Sequence, residues 1–512
     1  MTTTRLRTRK TALALAVAVV LGVTPWQESL AVPCAFNPAS GDWGTLGNWS
    51  CGAVPGAADT ATVASGKTAT VSGAQGATAI SNAGTISINN NSGLGLLGTN
   101  VNDGLINLNS FGNNTDLTFS GAAALNGSGT VNMSNSSVNR ILGVGATTLS
   151  IGAGQTIQGA GKIGAATAMA LINNGTIVST LSGLFINSAA GVTNNSVLRA
   201  DGATLVLENT AFNQGAAGTL NALNGSVVQL SNSSITGGSF STASGGAVAT
   251  AGATFGNTLS GVTNTGTFNL VNNSGIVLGG TLTNNGSVNL ISSGNVTDIA
   301  LSGSRSILGS GVIALSNYAN NRIYGTAGST LTLGSGQTLT GAGVIGAGAS
   351  NFALVNQGTI VASSNAGLLI NASAGVTNTG TLRADGGTLS LQTTVNSGGG
   401  TIEARNGSGA AAQRCGHQQR QLLGQRSGQP DHHGECRFGH AGWRHRDRAA
   451  DGGQQLRGTP DRRPDLQRHV EPELGGQLYR SDSGRRAHHR RRSDDPDVQL
   501  PEQSPVCGQC QR

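Results

Sequence analysis

Ionisable residues are sparse in this chain, and the most suggestive of them come in repeated pairs. Arg199-Ala200-Asp201 is followed 184 residues later by Arg383-Ala384-Asp385. On a strand, residues i and i+2 share a face, so each triplet sets a guanidinium beside a carboxylate. A polysaccharide-cleaving site needs a second carboxylate, and glycosidases hold theirs about 5–9.5 Å apart. Glu208 or Glu403 would serve if the fold brought them near. Arg199, Asp201 and Glu208 are therefore the candidate catalytic residues. The competing reading is a surface ion pair worth about 0–1 kcal/mol. Duplication favours the ion pair, because repeats copy architecture. All eight histidines lie beyond residue 412, so the rest of the chain lacks the commonest acid–base residue.

Other chemical motifs dissolve in context. Gly159-Ala160-Gly161-Lys162-Ile163-Gly164 and Gly341-Ala342-Gly343-Val344-Ile345-Gly346 match the dinucleotide-binding pattern. That pattern needs a following helix to hold pyrophosphate, and no helix signal follows. No dense Gly-Gly-x-Gly-x-Asp calcium repeat occurs. No cofactor and no metal are expected, and the chain is not read as an enzyme. Cys507-Gly508-Gln509-Cys510, the basic run His488-His489-Arg490-Arg491-Arg492, and Cys436 with His440 resemble metal or polyanion sites. They all fall in a segment of different character, treated below.

The elements that would carry any site are announced by repetition. Asn82-Ala83-Gly84-Thr85 recurs as Asn264-Thr265-Gly266-Thr267, and Gly154-Gln155-Thr156 as Gly336-Gln337-Thr338, both 182 residues on. Small insertions shift the offset to 184 by Leu382. Within each long repeat, Asn-x-Gly-(Thr/Ser) followed by alternating apolar residues recurs, as at 82–88, 173–178, 263–270, 284–290, 356–361 and 378–382. Gly84, Gly104 and Gly129 are spaced 20 and 25 apart; Gly266, Gly286 and Gly311 repeat that spacing. Asn and Gly suit positive φ and turn the chain; the alternation that follows is that of a half-buried strand. Fixed periods of this size signal a solenoid.

Composition agrees. The chain has 80 Gly, 3% aromatic and 10% charged residues. A single large core would need more aromatics, whereas thin coils stacked on each other need only small and β-branched interiors. Residues 52–412 carry 8 basic and 8 acidic side chains, so the net +7 resides in the termini and no nucleic-acid partner is implied. The expected fold is all-β: a right-handed parallel β-helix over 55–412, containing two long repeats. At about 22 residues per coil it would have roughly 16 coils and a height of roughly 75–80 Å.

Arg5, Arg7, Arg9 and Lys10 precede an apolar run from Thr11 to Val23, and Ser29-Leu30-Ala31 ends in small residues. Residues 1–31 therefore read as a secretory signal peptide, too short for a membrane anchor. A lipoprotein would acylate Cys34, but Pro33 stands where a small residue is needed. Cys34 and Cys51 bracket Trp43 and Trp49 in a cap segment, 32–54; an even pair in an exported chain reads as a disulfide. Gly41-Asp42-Trp43, Asn48-Trp49, Gly52, Pro55, Asp59 and Ala61-Thr62-Val63 resemble the start of many bacterial secreted β-strand-repeat proteins. The Asn-x-Gly-Thr phrases resemble the passenger regions of autotransporters and filamentous adhesins. The resemblance spans roughly 35–412.

From Gln413 the composition flips. This segment holds 18 of the 30 basic residues, all Arg, and the Asn-x-Gly-Thr phrases vanish. A disordered basic tail is one reading; a shifted reading frame is the sharper one. Taking the last two bases of each codon with the first of the next, and CGN for arginine, Trp443–Arg448 becomes compatible with Gly261-Val262-Thr263-Asn264-Thr265-Gly266 at five of six positions, 182 residues upstream. Residues 413–512 are thus expected to be an out-of-frame, disordered tail, and the metal-like motifs there carry no selected chemistry.

The function expected is structural or adhesive: a secreted solenoid at the bacterial cell surface, outer-membrane associated through an anchor the chain lacks. The alternative is a polysaccharide-active β-helix enzyme, a lyase or glycoside hydrolase. Surface glycans, or host or abiotic surfaces, are the partners expected, with end-to-end self-association at the last coil.

Overall fold

The computed structural model describes residues 32–347 and 351–412, with the backbone of 436–438. All of these belong to one compact unit. The signal peptide read at 1–31 lies outside the described residues. So does the tail, apart from the strand Cys436–Phe438, which pairs antiparallel with Ala410–Ala412.

The chain winds as a β-solenoid of about 16 turns, three strands to a turn; among the described residues all ladder pairs except that antiparallel one are parallel. Face A begins with Pro33–Ala35 and Thr60–Val63 and ends at Ala410–Ala412. Face B begins with Ser40–Asp42 and Thr68–Val71 and ends at Val395–Asn396. Face C begins with Ala74–Ala77 and Gly93–Leu96 and ends at Thr401–Arg405. At about 4.8 Å per rung the stack rises roughly 75 Å. Among the described residues the one helix is a single 3-10 turn, Leu46–Asn48.

Alternation puts every second side chain inside. Thr85–Asn89 buries Ile86 and Ile88 completely. On face B the in-register column Ile86, Ile106, Val131, Ile157, Ile177, Leu198, Leu220, Phe240 fills the interior. Each such side chain gains about 1.5–3 kcal/mol from burial. No single wide core is needed, because each residue packs on its equivalent above and below.

The N-terminal end is closed by aromatics. Trp43 is fully buried and meets Trp49 edge-on at 4.7 Å; Trp49 meets Phe36 at 5.2 Å. The Trp49 indole N–H donates to Trp43 O at 2.7 Å. A Cys34–Cys51 disulfide ties the segment, with its Cα atoms 5.0 Å apart.

The Asn-x-Gly phrase works differently from the reading above. Gly84, Gly104 and Gly129 are absent from the positive-φ residues. Glycine is required there by close approach: a Cβ on Gly104 would lie 2.0 Å from Gly84 O, and one on Gly129 2.3 Å from Gly104 O. Nor does the asparagine turn the chain. It is buried, and Asn82 donates to Asn102 Oδ1 at 2.7 Å and to Leu105 O at 3.0 Å in the next coil. The same pair recurs as Asn264–Asn284, Asn173–Asn194 and Asn356–Asn378. These are interior amide ladders, each rung satisfying the corner above it.

The two long repeats do not sit one above the other. Asn82 lies on face A and its counterpart Asn264 on face B. Thr85–Asn89 belongs to face B and Thr267–Val271 to face C. Asp116 and Arg140 pair on face C, while Asp298 and Arg322 pair on face A. The repeat therefore spans eight turns plus one strand, and the second copy is turned by one face about the stacking axis.

Candidate functional site

The structure separates the sequence-nominated catalytic residues. Arg199 and Asp201 lie on Val197–Asp201 of face B, and Glu208 ends Leu205–Glu208 of face C. Each is engaged with a different partner. Arg199 Nε donates to Asn221 Oδ1 at 3.0 Å, Asp201 Oδ1 accepts from Asn224 at 2.8 Å, and Glu208 Oε2 accepts from Asn187 at 3.3 Å. Among the described residues no hydrogen bond or ion pair joins any two of the three. The intra-strand Arg–Asp pair expected in each triplet is replaced by bonds to the neighbouring coil, because the inter-strand spacing of about 4.8 Å is shorter than the i to i+2 separation.

In the second repeat Asp385 likewise accepts from Asn406 at 2.6 Å, and Arg383 binds Glu403 Oε1 at 2.6 Å. The Arg383 guanidinium, then Arg405, holds the Glu403 carboxyl below its ordinary value. The arrangement offers charge-paired rungs and no convergent pair of carboxylates. Among the described residues no group of three His, Cys, Asp or Glu side chains could hold a metal ion.

Sequence reasoning missed the strongest electrostatic feature. Arg140 forms a forked pair with Asp116 at 2.7 and 2.6 Å, and Arg322 the same with Asp298 at 2.8 and 2.5 Å. Hydrogen bonds to the aspartates raise both guanidinium pKa values. Asp298, 4% exposed, also accepts from Tyr324. The signal was present: both members of the pair recur at the 182-residue offset.

A depression of about 330 Å³ opens on face B beside the corner with face C, lined by Asn109, Asn132, Met133, Ser134, Gln158, Gly159, Thr180 and Leu181. Two of these, Asn132 and Gln158, continue a row of outward amides in register that starts at Asn107. Asn132 donates to Asn107 at 3.1 Å and accepts from Gln158 at 2.7 Å. Comparison of the chain with family models, curated proteins and solved structures finds no match in any of the three.

Proposed function

We propose that this chain is a structural, display-type β-solenoid, exported and held at the bacterial cell surface in the manner of autotransporter passengers and filamentous adhesins. The carrying observation is the ladder from the Trp43 cap to Ala412, three of whose outer ion pairs, Arg140–Asp116, Arg322–Asp298 and Arg383–Glu403, run from rung to rung. Such a stack is a stiff spacer: each coil is fixed by its neighbours over the whole height. The Cys34–Cys51 disulfide suits an oxidising compartment. Surface glycans are the partner class in keeping with a neutral, amide- and hydroxyl-rich exterior. The lytic alternative gains no support, since Asp201 and Glu208 leave the coil from different faces.

Export of the full chain in a bacterial host with a periplasm tests this. The mature protein should begin near Val32 and be recovered outside the cytosol, in the periplasm or the medium. Retention in the cytosol with Met1 in place would overturn the proposal.

A further inference from the structure

We propose that the depression on the first repeat is a binding site for a neutral glycan, a reading that rests on surface display and names its ligand. Its walls are built. The coil between them turns at Gly159-Ala160-Gly161, where φ is 117° at Gly159 and 146° at Gly161. A Cβ at Gly161 would meet Asn139 O at 2.4 Å, and one at Gly159 would overlap Met133 O. That corner therefore lies flush with the coil below, while the segments on either side project. They are tied over it, Ser182 N donating to Asn135 Oδ1 at 3.0 Å although 47 residues apart.

The chemistry of the floor selects the ligand class. None of the lining residues is ionisable, so nothing there recompenses a charged ligand for its lost hydration. Carboxamides both donate and accept, as sugar hydroxyls do. Gln158 Oε1, Asn109 Oδ1 and the Thr180 hydroxyl accept or donate no hydrogen bond among the described residues, so they remain open to a ligand. Leu181, 39% exposed, supplies an apolar edge for the C–H face of a pyranose.

The second repeat provides a natural comparison. It keeps the backbone device: Gly341-Ala342-Gly343 makes the same corner, and Ala366 N donates to Asn317 Oδ1 at 2.9 Å. It keeps Asn289 at the place of Asn107 but lacks the amides that line the depression. Ile291, Ala314 and Thr340 stand where the first repeat has Asn109, Asn132 and Gln158. The Thr340 hydroxyl instead pairs with Ser363 at 2.8 Å. The coil stack therefore does not need those amides for its architecture, and their presence in one copy calls for another role.

The test is titration of the full chain with cello-, malto- and N-acetylchito-hexaose, followed by calorimetry. At least one should bind with one site per chain. The double variant Asn132→Ala/Gln158→Thr, which installs the second repeat's own residues, should bind at least about tenfold more weakly with its melting temperature unchanged. The triple variant Ile291→Asn/Ala314→Asn/Thr340→Gln should raise the stoichiometry towards two. No binding by the natural chain at about 10 mM sugar, equal binding by the double variant, or tighter binding of polygalacturonate than of every neutral hexaose would each overturn the site. A chain that is exported yet binds no hexaose would sink this inference alone; a chain that stays cytosolic sinks the display reading whatever the titration gives.

Discussion

Replacing Gln155 by Leu should weaken the stack at a defined level, and the size of the effect follows from the bonds lost. The interior asparagine ladder skips a rung at Gly127, and Gln155 reaches across the gap. Its Nε2 donates to Asn102 O at 2.5 Å and Asn126 O at 3.0 Å, while Asn102 Nδ2 donates to its Oε1 at 3.2 Å. Leucine fills nearly the same space, so little cavity forms. Asn102 O keeps its bond from Gly129 N at 2.7 Å. Asn126 O, on a half-buried residue, and one N–H of the fully buried Asn102 are left without these partners, at about 1–3 kcal/mol each. The expected cost is about 2–6 kcal/mol.

A stacked repeat opens locally before it unfolds globally, so hydrogen exchange is the suitable assay. Amides of the coils between Asn102 and Gln155 should exchange at least about thirtyfold faster, a tenfold change being about 1.4 kcal/mol. Gln337 holds the equivalent bonds, to Asn284 O at 2.6 Å, Leu308 O at 2.9 Å and Asn284 Nδ2 at 3.1 Å. Gln337→Leu should therefore produce the same loss at its own level, and the two losses should add, because distant sites couple little. Unchanged exchange in Gln155→Leu, or losses that differ by more than about 1 kcal/mol between the two sites, would refute the bridging role.

Four further outcomes are expected. Gly104→Ala drives a Cβ to 2.0 Å from Gly84 O and should cost about 2–3 kcal/mol or more in urea unfolding, whereas Gly47→Ala, with nothing within 4 Å, should stay within about 0.5 kcal/mol. Cys34 and Cys51 should resist thiol labelling until reduced, and Cys51→Ser should lose about 3 kcal/mol from a loop of this size. Glu403 has its pKa lowered by Arg383, so its stabilising contribution is present above the ordinary glutamate value and is lost as pH falls through the depressed one; exchange of Thr401–Arg405 should accelerate selectively in acid. Phe111 is 86% exposed, and Phe111→Ser should leave the melting temperature unchanged.

The sequence carried the strand alternation, the parallel stacking and the turn count, because each of these is a local period in apolar residues. Ile86 and Ile106 announce their interior position by alternation alone. The roles of Asn and Gly were misassigned because both residue types serve two ends. Asn91 and Asn224 do adopt positive φ, while Asn82 and Asn264 are buried ladder rungs, and only the coil below tells them apart. Asp201 and Glu208 looked close along the chain, yet the corner between them sends them to different faces. Arg140 was overlooked for the opposite reason: Asp116 is 24 residues away and becomes a neighbour only when one full turn is closed.

The turn of the second repeat relative to the first was illegible for a deeper reason. A sequence period fixes chain length and leaves angular phase open. Phase depends on how many strands the period contains, and coil lengths here vary, from Thr68 to Thr85 in one turn to Thr130 to Thr156 in another. Four strands, Thr115–Asn126, Asn139–Ile151, Thr156–Ile163 and Thr176–Ile186, also bend around a corner and serve two faces each. Since the repeat holds a number of strands not divisible by three, equivalent outer rows must advance by one face per copy, about 40 Å further along the axis. A stack extended by the same unit would bring a given row back to its starting face only after three copies. Such a surface offers related chemistry in several directions along one stiff support, which suits display to partners approaching from any side better than cleavage of a chain threaded along one groove.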